Sequence, residues 1–134
     1  MTRIFPFDPQ ARLEQVARAA EALGARPEVL AVILFGSLAQ DRATAMSDAD
    51  LLVLLECSPL PFAERLSLYR PKGVQGIEVF PYTLEEAQKS LREGWGVVRP
   101  ALSGRLLFER QGTWVSLKAF AEEDGPRGPV FRPS

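Results

Sequence analysis

From Ala11 to Leu23 apolar residues recur at spacings of three and four, at Leu13, Val16, Ala20 and Leu23, with Arg12, Glu14, Arg18 and Glu21 between them. That period predicts an amphipathic helix, opened near Asp8-Pro9 and stopped by Gly24. The pattern then changes. Val29 to Phe35 is an unbroken apolar run rich in branched residues and ended by Gly36, which predicts a buried strand. A turn or short helix is expected over 37–42 and a loop over 43–47. Asp50 to Glu56 (DLLVLLE) predicts a second buried strand, broken by Ser58-Pro59-Leu60-Pro61.

Further along, Phe62 to Tyr69 predicts a helix with Phe62, Leu66 and Tyr69 on one side, and Val74 to Pro81 (VQGIEVFP) a third strand. Thr83-Leu84-Glu85-Glu86 has the form of a capping box, with Thr83 as N-cap and Glu86 three residues on; the helix it opens runs to about Glu93, before Gly94. Val97 to Leu102 gives no clear period and is expected to be a connection. Arg105 to Arg110 predicts a last strand, followed by a short helix from about Thr113 to Glu122. The segment GPRGPVFRPS is rich in Pro, Gly and Arg and is expected to be extended or disordered. The chain has no internal repeat. Its element order implies one α/β (α+β) domain over 1–124, a small mixed β-sheet with flanking helices, and a tail over 125–134.

The chemistry gathers at the joint between the first two strands. Gly36-Ser37 follows the first strand directly, and Asp48-Ala49-Asp50 opens the second. Residues i and i+2 of a strand face the same way, so both carboxylates project to one side. Leu51 to Leu55 are all apolar, which leaves the two acids at the rim of a hydrophobic strand, repelling each other unless positive charge lies between them. Two hard carboxylates converging on one point suit Mg²⁺, an oxygen-binding ion that shares its shell with water and phosphate. Glycine lets the backbone approach a phosphate closely, and the Ser37 hydroxyl with nearby N–H groups can hold phosphate oxygens. Taken singly, a Gly-Ser after a strand is usually a turn with a helix cap, and Asp-x-Asp before a strand is often a solvated turn. Strand, Gly-Ser, fixed gap, Ser-Asp-x-Asp-Leu and buried strand in that order are far more specific, and imply phosphoryl or nucleotidyl transfer.

Composition narrows the chemistry. With no histidine among 134 residues, a Ser–His triad, a histidine base and an ordinary structural zinc site are excluded. Catalysis must then use carboxylates, Lys/Arg, hydroxyls, backbone dipoles or an oxygen-bound metal. The sixteen basic and seventeen acidic residues give a net charge of −1, which argues against a general nucleic-acid binder. The single cysteine, Cys57, cannot form an internal disulfide and fits a reducing compartment. No stretch has the length of a membrane span, and MTRIFPFDP lacks the order of a signal peptide, so a cytoplasmic protein is expected. Trp95, Trp114, Lys118 and the tail arginines Arg127 and Arg132 are read as core, interface or solvated residues.

The stretch LFGSLAQDRATAMSDADLLVLL resembles the signature of the minimal nucleotidyltransferase (MNT) group within the DNA polymerase β-like nucleotidyltransferase superfamily: Gly-Ser, ten residues, then Asp-x-Asp. The resemblance implies that Asp48 and Asp50 ligate metal and that Gly36 and Ser37 hold the triphosphate of a nucleoside triphosphate, ATP by expectation. It also implies a third carboxylate from a later strand as catalytic and metal-binding group; the matching position is Glu78, in GIEVFPY, where the family usually has Asp. The loop departs from the family's usual Gly-Ser-Arg-Ala-Arg-Gly, reading Gly36-Ser37-Leu38-Ala39-Gln40-Asp41. The activity implied is Mg²⁺-dependent transfer of a nucleoside monophosphate to a hydroxyl acceptor. Relatives of this size are often paired, as antitoxins, with a small helical HEPN-type toxin that they AMPylate, which makes such a protein the expected partner. The altered loop and Glu78 motivate the alternative, a non-catalytic module of the same fold that binds a partner protein. Self-association is left open.

Overall fold

The computed structural model describes residues 9–36 and 49–124. In chain order the elements are α1 (Pro9–Gly24), β1 (Val29–Phe35), β2 (Ala49–Leu55), α2 (Phe62–Tyr69), β3 (Ile77–Thr83), α3 (Leu84–Glu93), α4 (Val98–Ala101), β4 (Arg105–Glu109) and α5 (Thr113–Asp124). The four strands form one sheet in the order β3-β2-β1-β4. β1 runs antiparallel to both β2 and β4. β3 runs parallel to β2, and α2 lies in the crossover that a parallel neighbour requires. The sheet is therefore mixed, as expected.

The unbroken apolar runs of β1 and β2 follow from burial on both faces. On one face Val32, Leu34, Leu51, Val53 and Leu55 pack with Val16, Ala20 and Leu23 of α1 and Tyr69 of α2. On the other, Ile33, Leu52 and Leu54 pack with Leu91, Val98, Trp114 and Leu117 from the three C-terminal helices. A strand covered on both sides has no polar face to alternate with. Among the described residues no helix is long and apolar enough to cross a membrane.

The capping box forms as read: the Glu86 N–H donates to Thr83 Oγ1 at 3.1 Å and the Thr83 N–H to Glu86 Oε1 at 3.0 Å. Gly94 closes the helix in the left-handed region, φ 80°, where a side chain is disfavoured. Other boundaries move. β3 begins at Ile77 and continues through Pro81 to Thr83. Its start is set by Gly76, at φ 74°, and Pro81 is tolerated because β3 is an edge strand, where a missing N–H need not cost a ladder bond. The expected connection after Val97 contains the single turn α4. On α2, Phe62 is 39% exposed and Arg65 only 5%; the guanidinium takes the inner place because it finds partners there. Trp114 is a core residue, whereas Trp95 is exposed. The expected 37–42 turn, the 43–47 loop and the 125–134 tail lie outside the described residues.

Candidate functional site

The sheet brings three of the expected residues to one place. Gly36 follows β1 with φ 88°, a conformation open to glycine and strained for other residues. Asp50, half-buried, sits on β2 opposite Phe35, the last residue of β1. A Cβ built on Gly36 would lie 2.5 Å from Asp50 Oδ2. The carboxylate thus occupies the space that a side chain at position 36 would need, so glycine suits the backbone angle and a larger residue would push the carboxylate aside.

Glu78 is the register partner of Asp50 on the neighbouring parallel strand. Register partners share a face of the sheet, so the two carboxylates stand side by side at its rim. Glu78 is exposed. Behind them, on the same face, the rings of Phe35 and Phe80 meet at 5.6 Å between centroids, which backs the acids with apolar surface. Ser37 and Asp48 lie outside the described residues.

Two contacts fix the register that brings these acids together. The Gly76 carbonyl accepts the Ala49 N–H at 2.8 Å, tying the approach to β3 to the first residue of β2. The same carbonyl accepts from an Arg12 guanidinium nitrogen at 2.7 Å. Arg12 therefore positions β3 from α1, a role invisible in sequence because the two residues are 64 apart. Glu56, which shares the parity of Asp50, is exposed at the other end of β2. Six residues at about 3.3 Å each put it on the order of 20 Å away, and it takes no part in the site.

Two other carboxylates are paired away from this rim. Arg65 donates to both carboxylate oxygens of Glu86, at 2.7 and 2.9 Å, and to the carbonyls of Pro81 and Leu60, each at 2.9 Å. The Arg65 hydrogen bond holds the Glu86 carboxyl below its ordinary value. Tyr69 donates to Glu28 Oε2 at 2.7 Å. That bond holds Glu28 low, while burial, followed by the bond to Glu28, pushes the Tyr69 hydroxyl up to about 12. These pairs hold the fold together. Sequence reasoning passed over Arg65, whose burial depends on partners that only the fold brings to it.

The mixed sheet thus sets two carboxylates in register beside a strand-ending glycine. Residues 18–90, over half of the chain and including all three of these positions, match the family model "Polymerase beta, Nucleotidyltransferase". The chain belongs to that family. No curated protein matches it. Among solved structures it resembles a candidate nucleotidyltransferase from Sulfolobus solfataricus, at 18% identity and a TM-score of 0.54, over 77% of this chain and 86% of that one. It also resembles a chain of a toxin–antitoxin structure with AMP-PNP, at 19% identity and a TM-score of 0.52, over 79% and 83%. A looser overlap, at 13% identity and a TM-score of 0.48 over 86% and 84%, is with a tri-AMPylated HEPN toxin of Shewanella oneidensis in complex with MNT antitoxin. At these identities the likeness is one of fold.

Proposed function

We propose that the chain is a nucleotidyltransferase of the minimal type, moving AMP from ATP to a hydroxyl acceptor with Mg²⁺. The observation that carries the reading is the parallel register of Asp50 and Glu78 beside Gly36. The donor set suits a hard divalent cation: carboxylate oxygens on two adjoining strands, with a glycine leaving room for one of them. Asp48 would complete the set, since it precedes Asp50 by two residues. A cation held there supplies charge neutralisation for the phosphate oxygens.

The remaining work falls to the protein. Gly36 and Ser37 receive the triphosphate, glycine by letting the backbone come close and serine by its hydroxyl. Glu78, exposed at the rim, reaches into solvent where an acceptor would approach. It takes the hydroxyl proton as the new O–P bond forms at the α-phosphorus. The bond from that phosphorus to the bridging oxygen breaks, and pyrophosphate leaves. The extra methylene of glutamate over the family's usual aspartate is accommodated because the position is exposed.

In this reading the acceptor is a protein, a small helical HEPN-type toxin, and the chain is its antitoxin, working in the cytoplasm. The support is the motif resemblance together with the fold likeness to a toxin–antitoxin chain seen with AMP-PNP. The test uses the full chain with α-labelled ATP, Mg²⁺ and the product of the neighbouring gene. Label should pass to that protein, and Asp50→Asn should lower the rate at least a hundredfold, or about 3 kcal/mol of transition-state stabilisation. Stable binding of the neighbour with neither label transfer nor Mg²⁺-dependent ATP binding would replace the enzyme with a binding module.

A further inference from the structure

The face of the sheet away from Asp50 and Glu78 carries a second feature. Between α1 and the segment from Leu68 to Val74 runs an open cleft of about 420 Å³. Its cationic lining is Arg18, Arg26, Arg70 and Lys72, and among the described residues no Asp or Glu lines it. Arg26 leans on Glu28, at 3.9 Å. Arg18, Arg70 and Lys72 have no carboxylate partner among the described residues. In a chain of net charge −1, three uncompensated cations and a fourth that is half-compensated, all around one cleft, form a local positive field.

The shape and the floor narrow the ligand. The lining of α1 extends from Gln15 to Leu23, about 12 Å of helix at 1.5 Å per residue, which is too long for a single phosphate and suits an extended segment. Ala19, Ala22, Leu23 and Val74 make the floor partly apolar, so an occupant should bring an aliphatic side chain as well as negative charge. Stacking is not offered by the described lining: its one aromatic residue, Tyr69, is 3% exposed. The Arg26 guanidinium lies 5.1 Å from its ring centre. Nucleic acid bound without sequence preference relies on such faces. The chain's own residues 125–134 carry Arg127 and Arg132 and no acid, so they are the wrong sign.

We infer that this cleft is a docking site for an acidic, aliphatic segment of a partner protein, its carboxylates on Arg18, Arg70 and Lys72 and an apolar side chain on the floor between them. The site is separate from the transferase centre and does not depend on the activity proposed for it.

The test titrates the full-length protein with a fluorescein-labelled twelve-residue peptide rich in Glu with two Leu, following anisotropy at low and at physiological salt. The peptide should bind, its affinity should fall at least fivefold between the two salts, and its Lys-for-Glu counterpart should not bind. The exposed-site triple variant Arg18→Gln/Arg70→Gln/Lys72→Gln should weaken binding at least tenfold with an unchanged melting temperature, whereas Asp50→Asn should bind as the parent does. Equal binding by parent and triple variant would overturn the inference. So would tighter binding of a labelled single-stranded oligonucleotide than of the acidic peptide. A parent protein that binds the peptide but transfers no label to any acceptor would count against the transferase reading alone.

Discussion

The two ends of the β2–β3 pair are built from the same parallel ladder and treat charge in opposite ways. At one end Asp50 stands in register with Glu78, two acids on one face. At the other, Leu55 pairs with Thr83, which caps α3, and the acid of that cap, Glu86, is gripped by the buried Arg65. Like charges in register destabilise a sheet; a carboxylate capped and paired stabilises one. The far end is thus arranged to close the fold. The near end brings two acids into register beside Gly36, the arrangement on which the proposed transferase reading rests.

The sharpest way to break that contrast is to remove Arg65. Its guanidinium serves Glu86 and two carbonyls from a nearly dry position. Arg65→Met should cost about 3 kcal/mol, the low end for breaking a buried pair because the Glu86 side chain is 38% exposed. For a chain of this size that is a fall of roughly 10 °C in melting temperature. Asp50→Asn at the other end should move it by less than about 2 °C in either direction. Comparable losses at both ends would remove the distinction.

Much of this was legible from sequence because the signals are local. The helix caps at Thr83-Glu86 and Gly94, the runs of β1 and β2, and the Gly-Ser…Asp-x-Asp spacing each rest on a few neighbouring residues. What escaped was set by distant partners. Arg65 was hidden because a charged residue is buried only when a carboxylate and carbonyls, here 5 to 21 residues away, converge on it. The true start of β3 depends on Gly76 being held by Ala49 and Arg12. The identity of Glu78 as a site candidate came from a resemblance, and its register with Asp50 came only with the sheet.

A smaller perturbation probes how closely the near end is fitted. Gly36→Ala places a left-handed backbone on an L residue, for about 1–2 kcal/mol. The added methyl also displaces the Asp50 carboxylate, the movable end of a side chain. The fold should survive with that modest loss of stability. AMP transfer, measured well below the melting temperature, should drop at least tenfold. An active Gly36→Ala protein would mean that the position of Asp50 is not critical.

The smallest effect concerns Tyr69 and Glu28, a second carboxylate held by a buried donor. Tyr69→Phe removes one hydrogen bond to a charged acceptor and should cost about 1 kcal/mol at neutral pH, read from urea midpoints. Its signature lies in the pH dependence. The folded hydroxyl is raised to about 12 from an ordinary value of 10, because it is buried and bound to Glu28. A raised group contributes stability that is whole below pH 10 and is lost as the pH climbs toward 12. Glu28 is held below its ordinary value of 4.5, so its contribution is present above that pH and lost as the pH falls beneath it. The parent should therefore lose stability faster than Tyr69→Phe on both flanks, and the two curves should run parallel between about pH 6 and 9. Parallel curves at the flanks as well would mean that the Tyr69–Glu28 bond adds nothing to the fold beyond packing, and that paired carboxylates in this protein stabilise it only where an arginine holds them.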